Sequence, residues 1–123
     1  MSHKEISGEM RACIDNCNSC HAICVEMISH CLSIGGDHAD PQHIKLLQDC
    51  AQICMTSADF MLRTSEFHPQ TCAACADICI ACAESCESLA EGGDLMQVCA
   101  DMCRRCAESC RSMASHSSAT ASA

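Results

Sequence analysis

Tryptophan and tyrosine are absent from this 123-residue chain, and phenylalanine occurs only at Phe60 and Phe67. An aromatic core is therefore excluded. Cations are scarce as well: seven Lys and Arg against sixteen Asp and Glu leave a formal charge of −9. Nucleic acids and anionic membranes both require a basic face, so neither is an expected partner, and a cationic ligand is favoured. No stretch approaches the run of about 20 apolar residues that spans a bilayer. The amino-terminal MSHKEISGEMRAC holds neither the apolar core of a signal peptide nor a twin arginine, so the expected location is the cytoplasm. No Ser/His/Asp set or carboxylate pair stands out, and catalysis is not expected.

Sulfur takes the vacant place. The chain carries 16 cysteines and 8 methionines, which supply much of a hydrophobic fraction of 49%. In a secreted chain such cysteines form a disulfide framework, but in a reducing cytoplasm dense cysteine is more often metal-binding or redox-active.

The spacing is helical. Cys72, Cys75, Cys79, Cys82 and Cys86 follow intervals of three, four, three and four, and Cys99, Cys103, Cys106 and Cys110 resume the rhythm. Residues so spaced share one face of an α-helix. Cys13, Cys17, Cys20, Cys24 and Cys31, with Met10 and Met27, make another stripe, and His43, Leu47, Cys50, Cys54, Ser57 and Met61 make the last.

The punctuation agrees. Helix one is expected from about residue 3, with Ser2 and Glu5 as a capping box, to about residue 34, where Gly35 and Gly36 break it. Asp40 before Pro41 is a good helix start, and helix two should run to about residue 65. Helix three begins near Pro69 and is expected to end at Gly92 and Gly93. Asp94 with Gln97 caps helix four. Residues 75–90 (CADICIACAESCESLA) match residues 99–114 (CADMCRRCAESCRSMA) at an offset of 24. Four related amphipathic helices with short connections imply an all-α protein, an antiparallel four-helix bundle with a cysteine-lined core. Residues 1–114 form the expected metal-binding domain, and residues 115–123, rich in Ser and Ala, an expected disordered tail.

Thiols in this arrangement suit a soft monovalent metal. Stripe neighbours have Cβ atoms ~5–6 Å apart, and a near-linear S–M–S unit with bonds of ~2.3 Å needs sulfurs ~4.6 Å apart. Cu(I) accepts thiolate and thioether ligands at low coordination number. Each Cu⁺ can replace one thiol proton, so a long core fills without gaining charge. A Zn²⁺ held by four thiolates leaves two negative charges per site, which is costly in a low-dielectric interior. The expected cargo is several Cu(I) ions per chain, on the order of one per cysteine. The protonated thiol is itself a small buried hydrophobe, so the bundle should fold empty.

The striped segments CADICIACAESC and CADMCRRCAESC, with the segment CHAICVEM in helix one, resemble the bacterial copper storage proteins over about residues 10–114. The resemblance implies a four-helix bundle storing many Cu(I) ions, subunits associated as homotetramers, and the cytosolic branch of the family. Ser57 and Met61 depart from the pattern by holding places that could carry cysteine. All sixteen cysteines are candidate ligands, with Met27 and His43 added at the end bearing Cys31, Met96, His38 and the Gly-rich connection, the candidate mouth. Met10, Met61 and Met113 lie at the other end. Histidine is otherwise ordinarily a solvated surface residue. Asp15, Asp77 and Asp101 share a repeat position from which they could tie neighbouring helices or subunits together; pairing with Arg104 or Arg105 is the alternative. A zinc or general metal buffer, a thiol redox sensor and a purely structural bundle remain alternatives. Copper donors and acceptors are not legible in the sequence.

Overall fold

A computed structural model describes residues 5–91 and 94–116. Four helices follow one another: α1 (Gly8–Ile34), α2 (Pro41–Leu62), α3 (His68–Leu89) and α4 (Leu95–Ala114), with a single 3-10 turn, Gly36–Ala39, between the first two. Each neighbour in sequence packs antiparallel, and α4 closes the square against α1; the α3–α4 pairing is the most extensive. The all-α bundle expected from the spacing is the fold.

Local chemistry sets most of the boundaries. α1 begins at Gly8, later than expected, because the Ser7 side chain accepts a hydrogen bond from the Met10 backbone N–H at 3.1 Å. Ser7 replaces the anticipated Ser2, which lies outside the described residues with His3. Gly35 ends α1 at φ 77°, a left-handed backbone that suits glycine. Asp40 caps α2 by accepting from Gln42 N–H at 3.0 Å. α2 stops at Leu62, three residues short of the expected end, where Thr64 takes φ 49° and Ser65 N–H donates back to the Phe60 carbonyl at 2.9 Å. This is a Schellman closure with threonine in the usual glycine position. Asp94 caps α4 through Gln97 N–H at 3.1 Å, as expected. Gly92 and Gly93 lie outside the described residues, and α3 ends at Leu89.

The four stripes converge on one axis. Every cysteine is fully buried, and Leu47, Met61, Met96 and Met113 are the large side chains that complete the two ends of the column. Fully burying one such Leu or Met side chain contributes about 1.5–3 kcal/mol. Buried alanines stand directly after several of the thiols: Ala51, Ala76, Ala83, Ala100 and Ala107. Their small size lets backbones approach, which brings sulfurs on facing helices into contact. The acidic residues at the shared repeat position, Asp15, Asp77 and Asp101, are exposed. Asp101 accepts from Gln97 on its own helix, and Arg104 pairs instead with Glu87 of α3 in a two-pronged contact at 2.7 Å.

Candidate metal centre

The thiols touch mainly across helices. Cys110 of α4 lies 3.6 Å from Cys13 and 3.5 Å from Cys17 of α1, measured between sulfurs. Cys20 lies 3.7 Å from Cys50, Cys50 lies 3.6 Å from Cys79, and Cys54 lies 3.7 Å from both Cys75 and Cys79. Within single helices, Cys75 meets Cys79 at 3.8 Å and Cys106 meets Cys110 at 4.0 Å. All sixteen are free thiols. Their separations fall short of the ~4.6 Å of a linear S–Cu–S unit by roughly 0.6–1.1 Å, a difference that side-chain rotation supplies.

These contacts build overlapping groups, each with its sulfurs mutually within 4.8 Å. Cys13, Cys72 and Cys110 form one, and Cys17, Cys75, Cys106 and Cys110 the next. Cys54, Cys75, Cys79 and Cys106 follow, then Cys20, Cys50, Cys54 and Cys79, and last Cys20, Cys24, Cys50 and Cys103. Each group shares at least one thiol with its neighbour. Twelve of the sixteen cysteines are brought together in this way; Cys31, Cys82, Cys86 and Cys99, toward the end with the Gly-rich connection, belong to no such group.

His43 is buried at that end rather than solvated. Its Nδ1 lies 2.7 Å from the Ser85 hydroxyl and its Nε2 3.4 Å from the Cys31 sulfur. In the tautomer with Nδ1–H donating to Ser85, Nε2 is the acceptor facing the Cys31 thiol, the arrangement in which a second partner orients an imidazole lone pair toward a metal position. The Met96 thioether, 3.7 Å from the same sulfur, is the alternative acceptor of that single thiol proton, and with the thiol turned to Met96 the Nε2–H of His43 donates to the Cys31 sulfur. Met27 is buried on the same stripe, one turn from both Cys24 and Cys31, and no thiol donates to it among the described residues. Ser85 and Met96 were absent from the sequence-derived ligand set, although Ser85 precedes a cysteine in the repeat just as Ser109 does. At the opposite end Ser57 is fully buried and donates to Cys72 at 3.3 Å, a hydroxyl standing in a thiol place.

Burial shapes the proton chemistry. Loss of solvent pushes the Cys31 thiol up to about 11, with the nearby Cys99 and Cys82 adding to the effect. The same desolvation holds the His43 imidazole below its usual range, against an opposing pull from Cys82 and Cys99. Inside the column, a hydrogen bond between two thiols favours charge on one and opposes it on the other: the Cys20–Cys103 contact lowers Cys20 and raises Cys103. Desolvation opposes the charged form at both of these thiols, and a soft cation can displace thiol protons without adding net charge to the core.

Comparison with known proteins agrees with this chemistry. The family model described as copper storage protein matches residues 6–115. A crystal structure from Nitrosospira multiformis is 48% identical, with a TM-score of 0.82 over 88% of this chain and 96% of that one. The Cu(I)-bound copper storage protein of Bacillus subtilis is 39% identical, with a TM-score of 0.78 over 86% and 98% of the two chains. A copper-loaded cytosolic copper storage protein of Streptomyces lividans is 29% identical, with a TM-score of 0.79 over 87% and 92%. An uncharacterized cysteine-rich protein of Bacillus subtilis is 39% identical over 65 residues, and this match spans 60% of that curated relative's length.

Proposed function

The chain belongs to the copper storage protein family, and from that premise we propose that it stores many Cu(I) ions along the thiol-lined interior of its bundle, keeping free copper out of the cytosol. The observation that carries the reading is the unbroken overlap of buried thiol groups. A carrier that hands on one ion needs one accessible pair, whereas here every sulfur of the column is buried. This is an architecture for retention, and storage rather than catalysis is the role it serves.

All sixteen cysteines are the proposed ligands, in one domain spanning residues 1–114. His43 and Met27, with Met96 and Cys31, guard the proposed mouth, where an incoming ion exchanges onto Cys99, Cys86 and Cys82. A cytoplasmic location is supported by the likeness to the Streptomyces lividans protein; no helix among the described residues is long and apolar enough to cross a membrane. Association into homotetramers rests on the family resemblance; exposed apolar side chains such as Val25, Met55 and Val98 are available for contacts between subunits.

An anaerobic Cu(I) titration of the reduced protein, followed by near-ultraviolet thiolate absorbance against a competing chelator, tests the proposal. Saturation at roughly ten or more ions per chain is expected, near one per cysteine; saturation at one or two overturns it. Four-thiol groups of this size also suit tetrahedral Zn²⁺, at about one ion per four cysteines. Retention of copper against excess Zn²⁺ separates the two readings.

A further inference from the structure

We infer that the pole opposite His43 carries a second Cu(I) site, formed by Nε2 of His68 and the thioether of Met10, that passes copper to Cys13, Cys72 and Cys110. It rests on the storage reading but does not restate it, because those two residues lie outside the thiol column and outside the mouth described above.

Three observations converge at this pole. A half-open cavity of about 220 Å³ is lined by Glu5, Met10, Thr64, Ser65 and His68. One of these residues, His68, has a buried Nε2 with no hydrogen-bond partner. The other ring nitrogen, Nδ1, lies 3.0 Å from the Ser65 carbonyl oxygen. A carbonyl only accepts, so Nδ1 holds a proton, and the tautomer this contact selects has its lone pair at Nε2. Metal-binding histidines are oriented in this way, with the distal N–H donated to a backbone carbonyl.

Imidazole and thioether are neutral donors that match Cu(I) and need lose no proton to bind it. Glu5 supplies a negative wall that favours a cation over an anion. On α1 Met10 stands one turn before Cys13, and Met61 and Met113 complete this end of the column. Cys13, Cys72 and Cys110 form the terminal group, and from it overlapping groups run without a break as far as Cys24 and Cys103. At the His43 pole the nearest thiols, Cys31, Cys82, Cys86 and Cys99, stand outside such groups. The overlapping groups thus reach the His68 end of the column and stop short of the His43 end.

In the transfer, Cu⁺ leaves Nε2 and the thioether, which return to free lone pairs, and bonds to two sulfurs of the terminal group. Thiol protons, one per ion stored, leave to water through the cavity. Copper remains Cu(I) throughout.

The test uses the full chain, labelled with ¹⁵N-histidine, titrated anaerobically with Cu(I) to saturation. The His68 Nε2 resonance is expected to shift as the last ions bind, after the thiols are filled. Met10→Leu, a volume-conserving change, should raise the free Cu(I) needed for that shift about tenfold, the scale on which even supporting groups of a metal site act. In a His43→Ala background, adding His68→Gln should slow initial uptake from a Cu(I) chelate by about tenfold. An unmoved His68 Nε2 at saturation, or equal uptake rates with and without His68→Gln, overturns the inference. Failure of the storage reading is read separately in the same titration, as saturation at one or two ions.

Discussion

His43 and Cys31 meet at 3.4 Å, and burial moves their proton equilibria in opposite directions. His43 has a lowered pKa in the folded state, so the unfolded chain binds its proton more readily. The stability this group confers is present above its unfolded value of 6.5 and is lost as pH falls through the window below it. Cys31 has a raised pKa, so its contribution is complete below 9.0 and is lost as pH rises from there toward about 11. The copper-free protein is therefore expected to show a thermal-unfolding plateau between these limits. Replacing His43 with Gln should weaken the acid limb, and replacing Cys31 with Ala the alkaline limb, when unfolding is followed by circular dichroism across pH. This contact was half legible in advance. The stripe placed His43 beside the first thiols of α2, but its burial depends on Ser85, forty-two residues away, which pairs with Nδ1 and so removes the cost of an unsatisfied buried nitrogen.

At the scale of elements, periodicity located all four helices because three/four spacing is the direct imprint of one buried face. Their ends were harder to read, since an end depends on which side chain reaches a backbone N–H. Ser2 with Glu5 fits the capping pattern, yet Ser7 holds the Met10 N–H. Likewise nothing in Arg63–Thr64–Ser65 advertises a stop, and the chain reverses there with Thr64 at φ 49°. A β-branched residue in the left-handed region carries a penalty of roughly 1–2 kcal/mol. Thr64→Gly is accordingly expected to stabilise the copper-free bundle by about 1 kcal/mol, visible as a higher midpoint in urea with an unchanged slope; a lower midpoint would show that the Thr64 hydroxyl bond to the Arg63 carbonyl outweighs the strain. The alanines that follow the thiols were present in the repeat as the recurring Cys-Ala pair. Their role in drawing α3 and α4 together became clear only with the packing. His68 was not legible at all, because its lone nitrogen is defined by a turn carbonyl and a cavity, neither of which has a sequence pattern.

For the molecule as a whole, the thiols already touch before any metal arrives, so copper is cargo and not scaffold. Stripping a loaded sample with a strong chelator under reducing conditions should leave the far-ultraviolet helical signal unchanged, unlike small zinc domains, which unfold on losing their metal. A collapse of that signal would contradict a core that packs without metal. The sharing of Cys110, Cys75, Cys106, Cys54, Cys79, Cys20 and Cys50 between adjacent groups has a statistical consequence. Ions in such a column occupy a one-dimensional lattice, in which filling one cell withdraws a ligand from the next, as in other nearest-neighbour systems. A half-filled molecule is then a population of positional isomers rather than one compound, and the chemical potential of the bound metal climbs gradually with occupancy instead of switching at a single dissociation constant.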